Sequence, residues 1–181
     1  MLRRGTLRRG RGAGPEDPRD PLAPEQVSRV RAVLALGGVP ASELQDGVQQ
    51  VRLKLLERAA DGREAPRDVS AWAAVVASNW AMDYHRARRR QERLGERLAS
   101  LRTESQPAKD TEESKVLSMA VAKGLDELTD TQRQVVVLRF YADLPVRAIA
   151  ERLGVPEGTV KSRLHGAVRA LRARLHEDEV V

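Results

Sequence analysis

The chain has no cysteine, and only five of its 181 residues are aromatic: two Trp, two Tyr and one Phe. Without cysteine there is no disulfide, no thiolate metal ligand and no cysteine nucleophile. The shortage of aromatic residues disfavours a β-sandwich or barrel, whereas the frequent Leu, Ala, Arg and Glu favour helices. No apolar run reaches the about 20 residues that span a bilayer, and the first residues lack the apolar stretch of a secretory signal. We therefore expect a cytoplasmic protein.

The sequence also lacks the common motifs of catalytic and cofactor sites. It contains neither a Gly-rich phosphate loop nor a His-Glu-x-x-His pair, and its three histidines, His85, His165 and His176, are far apart in the chain. We therefore expect no enzymatic activity, no cofactor and no bound metal. Basic residues are abundant instead: 32 against 26 acidic residues give a net charge of +6, which indicates a polyanionic partner.

The first hundred residues divide into an arm and a helical domain. Residues 1–23 are rich in Gly, Pro and Arg without apolar periodicity, which predicts a disordered basic arm. Residues 24–100 have the helical period and predict three helices, the first running from Pro24 to the Gly37-Gly38 pair. The N-caps expected for the second and third helices are Ser42 and Ser70.

Two further features of this domain follow from the pattern. The apolar side of the second helix ends with Leu55 and Leu56, and a polar loop follows over residues 60–68. The third helix continues into a basic stretch that has six Arg and two Glu between residues 84 and 97. So many cations in one helical segment repel each other unless an anion is near, which favours contact with DNA over a merely solvated face.

The rest of the chain consists of a linker, a second helical block and a tail. Residues 101–113 lose the apolar period and carry net negative charge, which predicts a linker. Helical periodicity returns over residues 114–177, and residues 178–181 form a short tail. The sequence therefore predicts an all-α fold of two small helical domains joined by a flexible linker.

The second block contains the most informative pattern of the chain, a helix-turn-helix. Ile149 and Ala150 lie on the inner side of a short helix, and Gly154 follows where a left-handed turn is needed. Val160 begins the apolar side of the next helix and packs back on the first. Polar and cationic residues then project outward, where they suit phosphates and base edges in a major groove: Glu157, Thr159, Lys161, Ser162, Arg163 and His165. The alternative is an ordinary helical hairpin with a solvated charged face.

The segment before the helix-turn-helix is predicted to supply the core on which it rests. Thr129 is its expected N-cap. The expected core residues are Leu125, Leu128, Val135, Val136, Leu138 and Phe140. Arg133 and Arg139 either contact the DNA backbone or are ordinary surface charges.

At these residues the chain resembles a known family. The runs L-x-x-L-T-x-x-Q-R-x-V-V-V-L-R-F from Leu125 and I-A-E-R-L-G-V-P-E-G-T-V-K-S-R-L from Ile149 resemble the fourth region of bacterial sigma factors, most closely the extracytoplasmic-function (ECF) group. The resemblance implies that the second helix of the helix-turn-helix binds the −35 promoter element. Because response regulators also contain a helix-turn-helix, the N-terminal half has to decide between the two classes.

The N-terminal half has two motifs that resemble the second region of the same family. Asp46, Val48 and Gln49 resemble its D-x-V-Q motif, which implies docking on the core polymerase. The pattern that starts at Trp72 and includes Asn79 and Asp83 resembles the helix that melts the promoter. The resemblance implies contacts to the −10 region from these residues: Arg63, Arg67, Asp68, Asn79, Asp83, Arg86, Arg89 and Arg90.

Two departures from the family pattern stand in the same half. The loop over residues 60–69 lacks the aromatic residues that many relatives use to capture an unstacked base, so Arg63, Arg67 and Asp68 have to do this with hydrogen bonds and cation stacking. Gly47 replaces the usual aliphatic residue of the docking motif and is expected to loosen that helix by up to about 1 kcal/mol.

The resemblance identifies the chain as a sigma factor that binds core RNA polymerase and directs promoter-specific initiation at −10 and −35 elements, assisting strand opening. Its expected partners are core polymerase, promoter DNA and an anti-sigma factor, with no membrane association. The alternative is a free-standing helix-turn-helix regulator that binds DNA as a dimer. Such a regulator binds a palindrome unaided, with half-sites about one helical turn apart.

Overall fold

The computed structural model describes residues 20–98 and 124–178. These residues are helical as predicted, with no strand among them. The expected basic arm, apart from residues 20–23, and the expected linker over residues 101–113 lie outside the described residues. In the described part of the chain, none of the helices combines the length and the apolar character that a bilayer span requires.

Residues 20–98, here called the N-terminal half, contain three helices and one short 3-10 turn at Ala41–Glu43. The helices are α1 (Pro24–Leu36), α2 (Leu44–Ala60) and α3 (Val69–Leu98).

The N-caps predicted for α2 and α3 are wrong. Ser42 lies inside the 3-10 turn, where Glu43 N donates to Pro40 O at 2.9 Å, so α2 continues from an existing turn without a side-chain cap. At the start of α3 the acceptor is Asp68, whose Oδ1 accepts from Ala71 N at 2.8 Å. A carboxylate near the N-terminal amides of a helix is also favoured by the helix dipole.

The core of the N-terminal half combines branched residues of α1 and α2 with small residues of α3. The fully buried positions include Val30, Val33, Leu34, Val48, Val51 and Ala77. Leu55 is partly buried against this core as predicted, but Leu56 is 52% exposed. The prediction for Leu56 is wrong because each residue rotates the side-chain direction by about 100°, which turns Leu56 away from the face that Val48 and Val51 bury.

Residues 124–178, here called the C-terminal half, contain a helix that changes its winding, followed by two more helices. The elements are α4 (Asp130–Val136), a π-helical continuation (Val137–Tyr141), α5 (Val146–Leu153) and α6 (Glu157–Asp178). The Thr129 cap is confirmed: its Oγ1 accepts from Gln132 N at 3.3 Å, while Gln132 Oε1 accepts from Thr129 N at 3.1 Å. This reciprocal capping box satisfies two otherwise unpaired amides.

The π-helical continuation explains why the prediction that Phe140 belongs to the core is wrong. A π turn contains more residues than an α turn, so the side chains beyond Val136 are displaced from the α-helical register. Val137 and Leu138 are buried, whereas Phe140 is 66% exposed.

The two halves share one hydrophobic core. Val33 of α1 and Ala81 of α3 belong to the same buried cluster as Val137 and Leu138 of the π-helical segment. The C-terminal half therefore packs directly on α1 and α3, and this contact places the helix-turn-helix beside the basic part of α3.

Candidate nucleic-acid interface

The helix-turn-helix has the geometry that its sequence predicts. α5 ends at Leu153 and is followed by Gly154, whose φ of 66° places it in the left-handed region. Val155 N donates to Ala150 O at 3.1 Å across the turn. Ile149 and Val160 are completely buried between the two helices. This packing fixes the angle between α5 and α6 and sets which side chains of α6 face outward.

The outward side of α6 presents the predicted DNA-contacting residues. Glu157, Lys161, Ser162 and His165 are exposed, while Thr159 and Arg163 are half-buried. Among the described residues, Lys161 forms only a long ion pair with Glu157, at 3.8 Å, one turn away. The α6 surface is therefore open to a ligand, and Lys161 is its most accessible cation next to the turn.

The loop between α2 and α3 contains three of the residues predicted to contact the −10 region. Two of them have side chains with no ion-pair partner among the described residues. Arg63 and Arg67 are both exposed and form no ion pair with another described residue. Asp68 is exposed as well, but one of its carboxylate oxygens accepts the Ala71 amide at the start of α3. Asp68 thus already has a structural role.

Four predicted −10 residues form one exposed row along α3, here called the α3 stripe: Asn79, Asp83, Arg86 and Arg90. Their spacings of four, three and four residues place them on one helix face. Arg86 Nη1 pairs with Asp83 Oδ1 at 3.2 Å, and Arg90 has no ion-pair partner among the described residues. Beside the stripe, the Glu92 carboxylate and the Tyr84 hydroxyl raise the pKa of Arg88 through hydrogen bonds.

The residues predicted to dock on a polymerase separate into two kinds. Asp46 and Gln49 are exposed on α2, whereas Val48 is fully buried and points into the core. Leu53 and Leu56 extend the exposed side of the helix and are 46% and 52% exposed. We call Asp46, Gln49, Leu53 and Leu56 the α2 stripe. The apolar half of this stripe was missed from the sequence, although the spacing from Gln49 to Leu53 and Leu56 is helical.

There is a structural reason for a glycine at position 47 that the sequence did not indicate. A Cβ on Gly47 would lie 2.6 Å from Leu34 Cδ1 and 3.1 Å from Trp80 Cε3. The missing side chain therefore lets α1 and α3 approach α2 closely. The expectation that Gly47 only loosens the helix leaves out this packing, which opposes the propensity cost.

Arg133 is neither a DNA contact nor a surface charge, so that expectation is wrong. Its side chain is buried: Nε donates to Leu125 O at 2.7 Å, and Nη2 pairs with Asp126 at 3.2 Å. Its Nη1 fills the space above Gly38 of the N-terminal half, where a Cβ would lie 2.0 Å from it. The spacing of the residues was a sign of this burial that the sequence analysis missed, because Arg133 lies four residues, about one helical turn, before the buried Val137.

Two of the predicted −10 residues bond to the C-terminal half. Asn79 Oδ1 accepts from Gln134 Nε2 at 2.9 Å, and Arg89 pairs with the largely covered Asp130 at 2.5 Å. The α3 stripe and α6 also face each other across a cleft of about 350 Å³. The cleft is lined by Asn79, Met82, Asp83, Arg86, Thr131, Gln134, Leu153, Val155 and Arg163.

Among the residues that the structure describes, no group of three or more His, Asp or Glu is arranged to hold a metal ion.

Comparison with known proteins covers both halves of the chain. The family model "Sigma-70, region 4" matches residues 124–173. The chain is 34% identical to the ECF RNA polymerase sigma factor SigL of Mycobacterium tuberculosis over 147 residues, which are 81% of this chain and 82% of SigL. It is 30% identical to the ECF sigma factor SigK of Mycobacterium ulcerans over 149 residues, 80% of this chain and 79% of SigK.

The fold is also similar to that of a sigma factor of known structure. The chain superposes on the sigma factor RpoE of Bartonella quintana, crystallised in complex with the anti-sigma factor NepR, with a TM-score of 0.64. The sequences are 22% identical, and the match covers 84% of this chain and 92% of RpoE. The similarity therefore extends well beyond the helix-turn-helix that many DNA-binding proteins share.

Proposed function

Because the chain belongs to the ECF RNA polymerase sigma factors, we propose that it binds core RNA polymerase and initiates transcription at promoters with a −10 and a −35 element. The observation that supports this most is the presence of two separate polar surfaces, on α6 and on α3, within one chain. A free-standing regulator needs only the first of them.

The α6 surface is suited to the −35 element. Lys161 and Arg163 supply cations that bind guanine edges or phosphates, and the Thr159 and Ser162 hydroxyls accept or donate to either. Because the α5 packing fixes the α6 backbone, the helix that holds these groups is preorganised for binding.

The α3 stripe and the preceding loop are suited to the −10 element. Arg90, Arg63 and Arg67 provide positive charge along the path of a DNA strand, and Asn79 provides an amide that can pair with an exposed base edge. Capture of unpaired bases at this surface would offset the cost of unstacking, a few kcal/mol per step. In this way the protein assists strand opening without a catalytic group of its own.

The α2 stripe is the proposed docking surface for core polymerase. Asp46 and Gln49 supply directional hydrogen bonds, and Leu53 and Leu56 supply apolar area that water otherwise covers. Val48 supports the stripe from below by holding α2 on the core. Once docked, neither DNA surface needs high affinity, because the polymerase raises their effective concentration near the promoter. An anti-sigma factor remains a further proposed partner.

The decisive experiment is transcription in vitro with purified core polymerase, the chain and genomic fragments. We expect initiation from a limited set of fragments that share two sequence elements, and no initiation without the chain. If the chain does not bind core polymerase but binds a palindromic DNA site by itself, it is instead a dimeric regulator.

The docking surface is tested separately with the double variant Asp46→Ala, Gln49→Ala. We expect weaker binding to core polymerase with an unchanged helical spectrum, since both side chains are exposed. The matched control is Asp61→Ala, Gln91→Ala, which removes an exposed Asp and an exposed Gln outside the α2 stripe. Equal core binding by the two double variants would contradict the docking assignment.

A further inference from the structure

The loop over residues 61–68 begins with a closed C-terminal cap on α2. Gly62 has a φ of 68°, and its amide donates to Ala59 O at 3.1 Å. Arg63 N donates to Arg58 O, also at 3.1 Å. These two bonds and the left-handed glycine form a Schellman motif, which ends a helix in a defined backbone shape. Arg63, which is proposed to contact the −10 element, therefore lies directly at the cap of α2.

The Arg58 side chain adds a second restraint to the same turn. Its Nε donates to Glu64 O at 2.7 Å, six residues further along the chain. Arg58 thus holds the backbone on both sides of Arg63, since its carbonyl bonds to the Arg63 amide and its side chain bonds to the Glu64 carbonyl. Because Arg58 is half-buried, its guanidinium is less available to DNA than that of the exposed Arg63.

The rest of the loop has few free torsions, with one exception. Ala65 precedes Pro66, and a residue before proline is largely limited to extended backbone, while the proline ring fixes its own φ. Asp68 is held as the N-terminal acceptor of α3. Arg67 is the exception, since none of the hydrogen bonds among the described residues uses its backbone. The loop therefore presents Arg63 on a restrained backbone and Arg67 on a freer one.

An arginine on a restrained backbone can discriminate bases by hydrogen bonding. The planar guanidinium donates two parallel hydrogen bonds to an edge that has two adjacent acceptors. Guanine has such a pair in O6 and N7, and an unpaired cytosine exposes N3 and O2. Adenine and thymine have no adjacent pair of acceptors. Since residues 61–68 include no aromatic side chain on which any base would stack, hydrogen bonding is the available basis for selection there.

We propose that Arg58 is a positioning residue, which holds the loop so that Arg63 binds an unpaired guanine or cytosine of the −10 element through two hydrogen bonds. The inference rests on the proposed function and deepens it, because it separates the roles of the two loop arginines. Arg63 selects a base, whereas Arg67 supplies charge to the phosphates. The fixed backbone causes this difference, because a residue that is already held has less backbone freedom to lose when it binds.

The shape of the loop is measured in the free chain, without polymerase or DNA. We expect backbone order parameters from ¹⁵N relaxation of about 0.85 at Arg63 and Glu64, and values below about 0.6 at both residues in Arg58→Ala. The matched control is Lys54→Ala, which removes another cation of α2, one turn earlier and paired within α2. Low order parameters in the parent loop, unchanged values in Arg58→Ala, or an equal decrease in the control would overturn the proposal.

Base selection is measured with holoenzyme and a DNA fragment whose −10 segment is single-stranded. Each position of that segment carries each of the four bases in turn, and fluorescence anisotropy gives the affinity. At one position we expect guanine or cytosine to bind about 10-fold more tightly than adenine and thymine. Arg63→Lys keeps the charge but removes the paired donors, so it should abolish this preference. Arg67→Lys should instead change the affinity for all four bases alike.

The positioning role of Arg58 is measured in the same assay. Arg58→Ala should reduce the preference for the selected base by at least about 3-fold, because Arg63 then has to be ordered during binding. The Lys54→Ala holoenzyme should keep the parent preference. A preference in Arg58→Ala equal to that of the parent would overturn the positioning role.

The same measurements separate this inference from the proposed function. If the holoenzyme initiates at promoters with two elements but shows no preference for guanine or cytosine that depends on Arg63, the inference alone is overturned. If the chain forms no holoenzyme with core polymerase, the proposed function is overturned as well.

Discussion

The two halves of the molecule reach their folds by different means. The C-terminal half is specified largely by local signals, such as the Thr129–Gln132 capping box and the left-handed Gly154. In the N-terminal half, α2 has no side-chain cap, and close packing around Gly47 sets how the helices meet. Local signals are visible in a sequence, whereas a close approach between helices is visible only when they are assembled.

The same contrast holds for function. The helix-turn-helix can be read from turn geometry and apolar spacing, because its chemistry and its fold occupy the same short segment. The surfaces of α2 and α3 consist of ordinary exposed polar residues, which single out no ligand by themselves. Their proposed roles came from resemblance to a family.

The largest expected effect comes from a matched pair of core truncations. Leu34→Ala in the N-terminal half and Ile149→Ala in the C-terminal half each remove a completely buried side chain. Each should lower the free energy of unfolding by about 2–5 kcal/mol. The measurement is urea denaturation of the full chain followed by circular dichroism.

The same experiment shows whether the shared core makes the halves cooperative. Both tryptophans, Trp72 and Trp80, lie in the N-terminal half, so fluorescence reports that half alone. If the halves unfold together, Ile149→Ala shifts the fluorescence transition as well. A shift seen only by circular dichroism would mean that the two halves are thermodynamically separate.

The next effect compares the two DNA surfaces. Lys161→Ala should weaken binding of a selected −35 duplex by about 1–3 kcal/mol if Lys161 reads a base. Arg90→Ala should leave that duplex unaffected and weaken binding of the −10 element by holoenzyme. The measurement is fluorescence anisotropy at several salt concentrations. An equal loss on all sequences, with a flatter salt dependence, would assign Lys161 to a phosphate.

The same type of substitution, glycine to alanine, should change the stability in opposite directions in the two halves. Gly47→Ala gains helix propensity but forces a Cβ against buried Leu34 and Trp80, so we expect a net loss of about 1 kcal/mol. Gly158→Ala in the first turn of α6 meets nothing within 4 Å and should gain up to about 1 kcal/mol. Thermal melts of both variants measure the sign. A stabilised Gly47→Ala protein would contradict the packing role of Gly47.

The smallest effect concerns surface ion pairs. The Arg52 guanidinium lowers the pKa of Asp20 through hydrogen bonds. This pair therefore stabilises the fold at pH values above the ordinary pKa of an aspartate. The contribution is lost as the pH falls through the lowered pKa of Asp20. Asp20→Asn should therefore cost about 0.5–1 kcal/mol at neutral pH, and the cost should shrink as the pH falls through the lowered pKa of Asp20. Urea denaturation over a series of decreasing pH values measures this dependence.

The control for Asp20 is the more exposed pair of Arg147 and Glu151 in the C-terminal half. Glu151→Gln should change stability by no measurable amount across the same pH series, because water screens that pair. A loss at neutral pH equal to that of Asp20→Asn would show that partial burial makes no difference.

The helical class, the ends of α1, the Thr129 cap and the turn at Gly154 could be predicted from the sequence, because each depends on residues that are neighbours in the chain. Prediction from the sequence failed at Phe140, Leu56 and Arg133. A change to π winding, the precise face of a helix and a partner from the other half are properties of the packed molecule. Only the tertiary structure brought Gln134 to Asn79 and Asp130 to Arg89, since no local rule links residues so far apart in sequence.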